Sequence, residues 1–251
     1  MQQVIIEDKI AREKAFHNER FAEEHDARDV QDKYYDSIRG CFKDYYAQIE
    51  TSIADKRSLE YGCSYGENVS KYAPKALDIK GIDISDSAVE IGQGKIDNLG
   101  YKNAALSVMN AEEPTFEDGA FDFIFGAGIL HHLDLDKSIS QISRMLAKDG
   151  RAVFMEPLGH NPVINMYRNA TPEARTPDEH PLLVSDWKIF RKHFRRVSTK
   201  FYGLTTIGTT PLRNTPVHKF ALGASELLDS AIFLVPGVRF LAWYVLIEFE
   251  K

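Results

Sequence analysis

Two carboxylates stand where strands should end, and a turn of small residues follows the first of them. Glu60 sits in the stretch Leu59-Glu60-Tyr61, which runs into Gly62-Cys63-Ser64-Tyr65-Gly66. Glycine at 62 and 66 permits positive φ and lets a ligand approach the backbone without a Cβ in the way. Asp83, in Gly81-Ile82-Asp83-Ile84, comes about twenty residues later, where a βαβ unit presents a carboxylate to ribose hydroxyls. The chemistry these residues suit is nucleoside binding. A dinucleotide fingerprint is disfavoured, because Ser64 and Glu67 fall where the second and third glycines of G-x-G-x-x-G would stand. Glu60 would also repel a pyrophosphate, whereas it suits the ammonium of an amino acid.

A cofactor that joins a cationic amino acid to adenosine is S-adenosylmethionine (SAM), and here the chain resembles the class I SAM-dependent methyltransferases. Their motif, acid-x-G-x-G-x-G, aligns with Glu60, Gly62, Ser64 and Gly66; Ser64 replaces the middle glycine, a small change expected to be tolerated. Asn110-Ala111-Glu112 resembles the segment that meets the adenine, Phe116 to Phe125 the turn and fourth strand, and Gly126 to His132 the segment beyond that strand. The resemblance implies SAM as cofactor, S-adenosylhomocysteine (SAH) as product, and Glu60, Gly62, Cys63, Ser64, Gly66, Asp83, Ile84, Asn110, Ala111, Glu112 and Gly126 as cofactor-binding residues. A side chain at Gly62 is expected to block the cofactor while the fold holds. Cys63 reads as an apolar filler with a reactive thiol as the alternative.

Methyl transfer needs donor and acceptor aligned, and a hydroxyl acceptor must also lose a proton to a positioned base. His131 and His132 come after the fourth strand, and Glu156 ends the fifth with His160 four residues on; these are the catalytic candidates. Histidine suits the task near neutral pH, while Glu156 reads equally well as a structural carboxylate bonded to loop amides. Phe16, Tyr34, His160, Tyr167 and Arg168 are the candidate substrate contacts. Arg168, Arg175 and His180 would form an anion site unless paired with nearby acids. No zinc-type spacing occurs, so no metal is expected.

The elements that must hold these groups alternate regularly. Strands are expected at 57–61, 77–83, 104–109, 121–126 and 151–156, with helices at 66–72, 86–98 and 136–147, the last stopped by Lys148-Asp149-Gly150. A helix at 187–194 and strands at 196–202 and 240–248 complete a doubly wound, seven-stranded, mostly parallel α/β sheet of the Rossmann-like methyltransferase type. Residues 1–50 form an N-terminal helical extension, read as a lid on the cleft around 16–21 or as helices covering a sheet edge; 51–251 form the SAM-binding domain. Insertions at 157–181 and 203–238 are too long for plain connections and read as caps that bring Tyr167, Trp187, Phe220, Leu227 and Phe233 to the cleft mouth. Gly92 and Gly94 fall inside a helix without an evident reason.

Composition bounds the rest. The chain of 251 residues has 31 basic and 37 acidic residues and a net charge of −6, so it offers no field to hold nucleic acid. Two cysteines make no disulfide framework, and with no secretory pattern a cytoplasmic location is expected. The apolar run 231–247 is shorter than the roughly 20 residues a membrane span needs. The expected activity is methyl transfer to a small, partly apolar molecule, foremost at oxygen. Carbon or nitrogen acceptors and a SAM-binding protein without turnover are the alternatives; the acceptor's identity and the oligomeric state, a dimer among the options, stay open.

Overall fold

A computed structural model describes residues 11–16, 18, 32–172, 176 and 178–251. The expectations placed on His17, on 19–21 and on Arg175 lie outside the described residues. Seven strands, β1 (Arg57–Tyr61), β2 (Asp78–Asp83), β3 (Ala104–Val108), β4 (Phe121–Ala127), β5 (Leu146–Pro157), β6 (Arg196–Tyr202) and β7 (Tyr244–Glu250), form one sheet. Its order is β3-β2-β1-β4-β5-β7-β6, parallel except for β7, which runs antiparallel to both β5 and β6. The order reverses between β1 and β4, and in such sheets ligands bind beyond the strand C-termini at the reversal. Glu60, Gly62, Asp83, Gly126 and Glu156 all fall at or just beyond those ends.

The central strands are buried on both faces, as a sheet sandwiched by helices requires. In β4, Ile124 packs into one core while Phe123 and Phe125 pack into the other. After a short helical turn at Asp32–Tyr35, the longer helices are α1 (Arg39–Ser52), α2 (Glu67–Tyr72), α3 (Asp86–Leu99), α4 (Leu135–Met145), α5 (Pro162–Ala170), α6 (Trp187–His193) and α7 (His218–Ile232). Their starts are set locally: Ser85 accepts from Ala88 N–H, Asp134 from Lys137 N–H, and Asn161 from Val163 and Ile164 N–H ahead of Pro162. α1 buries Cys41, Tyr45 and Ile49 beneath β5 and β7, so this part of the N-terminal extension covers the sheet.

Three expectations change. α4 stops at Met145 and β5 begins at Leu146, so Lys148-Asp149-Gly150 lies within the strand; Leu146 pairs with Phe121 before a register shift. The last strand starts at Tyr244, because Val238–Leu241 forms a 3-10 turn instead. Gly92 has a reason: a Cβ there would lie 2.6 Å from the Tyr65 carbonyl oxygen, so only glycine lets α3 press against the turn after β1.

Candidate active site

The turn after β1 is built from backbone conformation. Gly62, Ser64 and Gly66 take φ of 77°, 48° and 65°, so the serine in the middle position adopts the left-handed form that its neighbours use. The Asp83 carboxylate then ties turn to strand: Oδ2 accepts from Ser64 N–H at 2.8 Å and Oδ1 from Ser85 N–H at 2.9 Å. Each carboxylate oxygen can accept a further bond, so Asp83 is both the brace of the turn and a remaining acceptor at its lip. A Cβ on Gly62 would come within 2.9 Å of Ile129, at a φ that side chains avoid. A valine there therefore strains the fold as well as the site, which corrects the expectation that the fold would be indifferent.

Glu60, 5 % exposed, points into the same corner. Its Oε1 accepts from Asn68 Nδ2 at 2.6 Å, while Oε2 has no hydrogen-bond partner among the described residues. Burial pushes this carboxyl up to about 8, against the pull of Asn68. An orphaned, buried carboxylate oxygen asks for a cation, and the ammonium of SAM is one. The donor set thus fits the cofactor. Cys63 is 4 % exposed, and burial pushes its thiol well above the usual range, as for an inert filler. At the β3 end, Asn110 Oδ1 accepts from Glu112 N–H, whereas the Glu112 carboxylate is buried and holds Asp134 N–H at 2.8 Å, anchoring the start of α4. Tyr61 donates its hydroxyl to the Ala111 carbonyl, and Gly126 brings β4 so close to β1 that a Cβ would meet the Tyr61 carbonyl at 2.6 Å.

Beyond β4 the building material is a buried carboxylate. Glu156, fully buried, accepts from Ile129 N–H and Leu130 N–H at 2.9 Å each through Oε1, and its Oε2 lies 2.8 Å from His131 Nδ1. Burial pushes its carboxyl up to about 7, opposed by those two amides. Both oxygens are engaged, so Glu156 positions the loop and the imidazole and is not itself placed as a base. His132 packs beside His131 with ring centroids 4.2 Å apart, and its Nδ1 lies 3.2 Å from Glu13 Oε2. Burial lowers the His132 pKa, helped by His131 and opposed by Glu13, so the ring is neutral near pH 7.

Glu13 belongs to a helical stretch over residues 11–16 that reaches the site from the N-terminal side. Thr176 donates to Glu13, Arg12 pairs with Asp178 at 2.9 Å, Lys14 with Asp86 at 2.7 Å, and Ser85 Oγ donates to Asn18 at 2.6 Å. Glu179 Oε1 lies 4.0 Å from His132 Nε2. Glu13, Thr176 and Glu179 had no local signature in the sequence, since Glu13 and Glu179 meet His132, and Thr176 meets Glu13, only through the fold. Ligand atoms of His131, His132 and Glu179 lie within 4.8 Å of one another. An ion with bonds near 2.1 Å holds tetrahedral ligands roughly 3.4 Å apart. As arranged, with a carboxylate on each Nδ1, the group is an acid–base network wider than a metal cage.

The remaining candidates divide. Tyr34 and Tyr167 come together with centroids 5.4 Å apart, and Phe16 lies half-buried in the 11–16 stretch. His160 does not join the histidine pair: it is exposed, and its Nε2 accepts from Val184 N–H at 3.1 Å. Arg168 donates to the Leu158 carbonyl and to Asn165, bracing the first insertion, and His180 pairs with Asp186, so neither supports the anion site. Trp187 is buried in the core and Phe233 packs against it, whereas Phe220 and Leu227 face solvent; the second insertion does not deliver them to the cleft.

Residues 59–154 match the methyltransferase domain family. The chain is 25 % identical over 138 residues to an uncharacterized methyltransferase, YcgJ of Bacillus subtilis, a match covering 54 % of each chain. It is 24 % identical over 127 residues to a ubiquinone biosynthesis O-methyltransferase of Nitrosomonas europaea, covering 49 % of this chain and 52 % of that protein. The chain thus spans about half the length of the curated relatives it matches. The crystal structure of YcgJ superposes with a TM-score of 0.59 at 19 % identity, covering 82 % of this chain and 97 % of that one. A geranyl diphosphate C-methyltransferase from Streptomyces coelicolor, crystallised with Mg2+, geranyl diphosphate and SAH, gives 0.59 at 17 %, covering 82 % and 78 %. These likenesses establish the Rossmann-like methyltransferase fold. No described helix is long and apolar enough to cross a membrane.

Proposed function

We propose that this protein is a SAM-dependent methyltransferase acting on a small, partly apolar molecule, with oxygen as the accepting atom. The observation that carries the reading is the corner at the ends of β1 and β2, where a left-handed turn, the Asp83 brace and the orphaned oxygen of Glu60 meet. When bound, SAM supplies a sulfonium methyl group that a nucleophile displaces in line. Asp83 offers its remaining lone pairs to ribose hydroxyls, and Glu60 takes the ammonium. His131, with Nδ1 held by Glu156, receives the acceptor's proton; Glu156 is the positioning residue that sets the ring. Relatives named as O-methyltransferases and as C-methyltransferases both stand near this chain, and the oriented imidazole favours the first. Residues 12–16 and the first insertion close the cleft as a lid through Arg12, Glu13 and Lys14.

Calorimetry with SAM, SAH and NAD tests the cofactor, and saturable NAD binding with no response to SAM would sink the assignment. Methyl-labelled SAM offered with a panel of hydroxylated apolar small molecules tests the reaction. Turnover lost in His131→Ala with SAH affinity intact is expected for a proton acceptor. SAH binding with no labelled product from any hydroxylated, carbon or amine acceptor would mark a SAM-binding protein without turnover.

A further inference from the structure

The helix α7 is amphipathic in the wrong sense for a protein in water. Its inner side buries His218, Leu222 and Asp229, yet its outer side carries Phe220, Leu227 and, just past its end, Leu234 at 83 %, 75 % and 82 % exposure. These recur at i, i+7 and i+14, with Val217, Leu228 and Val235 alongside at 56 %, 51 % and 52 % exposure, so they form one apolar stripe. Contiguous apolar surface of this kind marks an interaction site.

The charges around the stripe select the partner. Arg213 and Lys219 are exposed at its N-terminal end. The two acids of the region are withdrawn from it: Glu226 pairs with Arg39 at 3.0 Å, and Asp229, 4 % exposed, accepts from the Leu204 and Thr205 amides. What remains outside is apolar and cationic, the composition of helices that lie in a lipid interface. An anionic leaflet matches both features. The 3-10 turn Thr206–Leu212 packs on α7 and also lines a cavity of about 770 Å³ with Tyr34, Leu204 and Leu241.

We propose that the outer face of α7 docks this protein on the surface of an anionic lipid bilayer, with Phe220, Leu227 and Leu234 entering the interface. The docking stands independently of the methyltransferase reading. Full-length protein is sedimented with vesicles of phosphatidylcholine alone or mixed with phosphatidylglycerol. Wild type should pellet with the anionic vesicles, less with neutral ones, and less at high salt because the cationic contribution is screened. Leu227→Glu with Leu234→Glu should weaken vesicle binding at least tenfold while Tm and SAH affinity are unchanged. Should that pair unfold, Arg213→Glu with Lys219→Glu should still abolish the preference for anionic vesicles. Wild type left in the supernatant with both vesicles, or variants that pellet as wild type does, would overturn the proposal. A dimer in solution that the same substitutions split, without vesicle binding, would assign the face to a second copy instead.

Discussion

The two halves of the cleft are made differently. On the β1–β2 side the ligand-facing groups lie within one βαβ unit, and the turn is held by backbone conformation and a half-buried aspartate. On the β4–β5 side a single buried carboxylate, 25 residues from the histidine it holds, organises two amides and an imidazole. The first arrangement is local and leaves acceptor capacity for a ligand; the second is long-range and internally satisfied. A ligand should therefore lean on the first for affinity and on the second for chemistry.

The sharpest break should come from Glu156→Ala. It removes the acceptor that holds the Ile129 and Leu130 amides and the His131 ring, so unfolding by denaturant should show a loss of roughly 3 kcal/mol. SAH affinity of the folded fraction should change far less; an equal loss of affinity would mean the halves are one unit. Asp83→Ala should weaken SAH by about 1 to 3 kcal/mol in calorimetry through lost hydrogen bonds to a charged group, with a smaller loss of stability than Glu156→Ala because the Ser64 and Ser85 amides it frees are only part-buried. Unchanged affinity there would remove the basis of the comparison.

Glu60 sharpens it through pH. Its folded pKa of about 8 lies above the ordinary 4.5, so the folded apo protein binds the extra proton between those values. Stability from this group is complete below the unfolded pKa and is lost as pH rises through about 8. An ammonium ligand favours the ionised form. SAH binding at pH 7 should then release about one proton, read from calorimetry in buffers of differing ionisation enthalpy. Glu60→Gln should release none and should flatten the stability profile. The smallest effect belongs to Arg12→Ala, whose pair with Asp178 is largely exposed and contributes about 1 kcal/mol or less. Faster hydrogen exchange in 11–16 and 178–180 in that variant, with little change in Tm, is the expected sign of loosened packing between these two stretches.

The same division explains what the sequence made legible. Glu60, the Gly62–Gly66 turn and Asp83 are near one another along the chain, so their types and spacing carry the geometry. Strand ends were readable because apolar runs and glycines punctuate them. Glu156 could be placed at a strand end but not given its partners, since those depend on the β4–β5 register. Glu13 and Glu179 meet His132, and Thr176 meets Glu13, across separations that no local pattern encodes. α7 fell inside an insertion read only as a cap, and which of its faces turned outward depended on Asp229 accepting from the amides at 204 and 205.

The position of β7 bears on how the chain assembles. β6 has one neighbour in the sheet, β7, which lies between it and β5. During synthesis β6 emerges with no strand to pair with, and it waits while the whole second insertion is made. Its backbone groups are a bare edge for that interval, the condition in which strands recruit other chains. When Tyr244–Glu250 arrives, it closes against β5 and β6 in one event, satisfying two ladders at once. The sheet is thus completed from the inside, and the slow step of folding should be this late insertion, with its long loop closure, rather than the early βαβ winding.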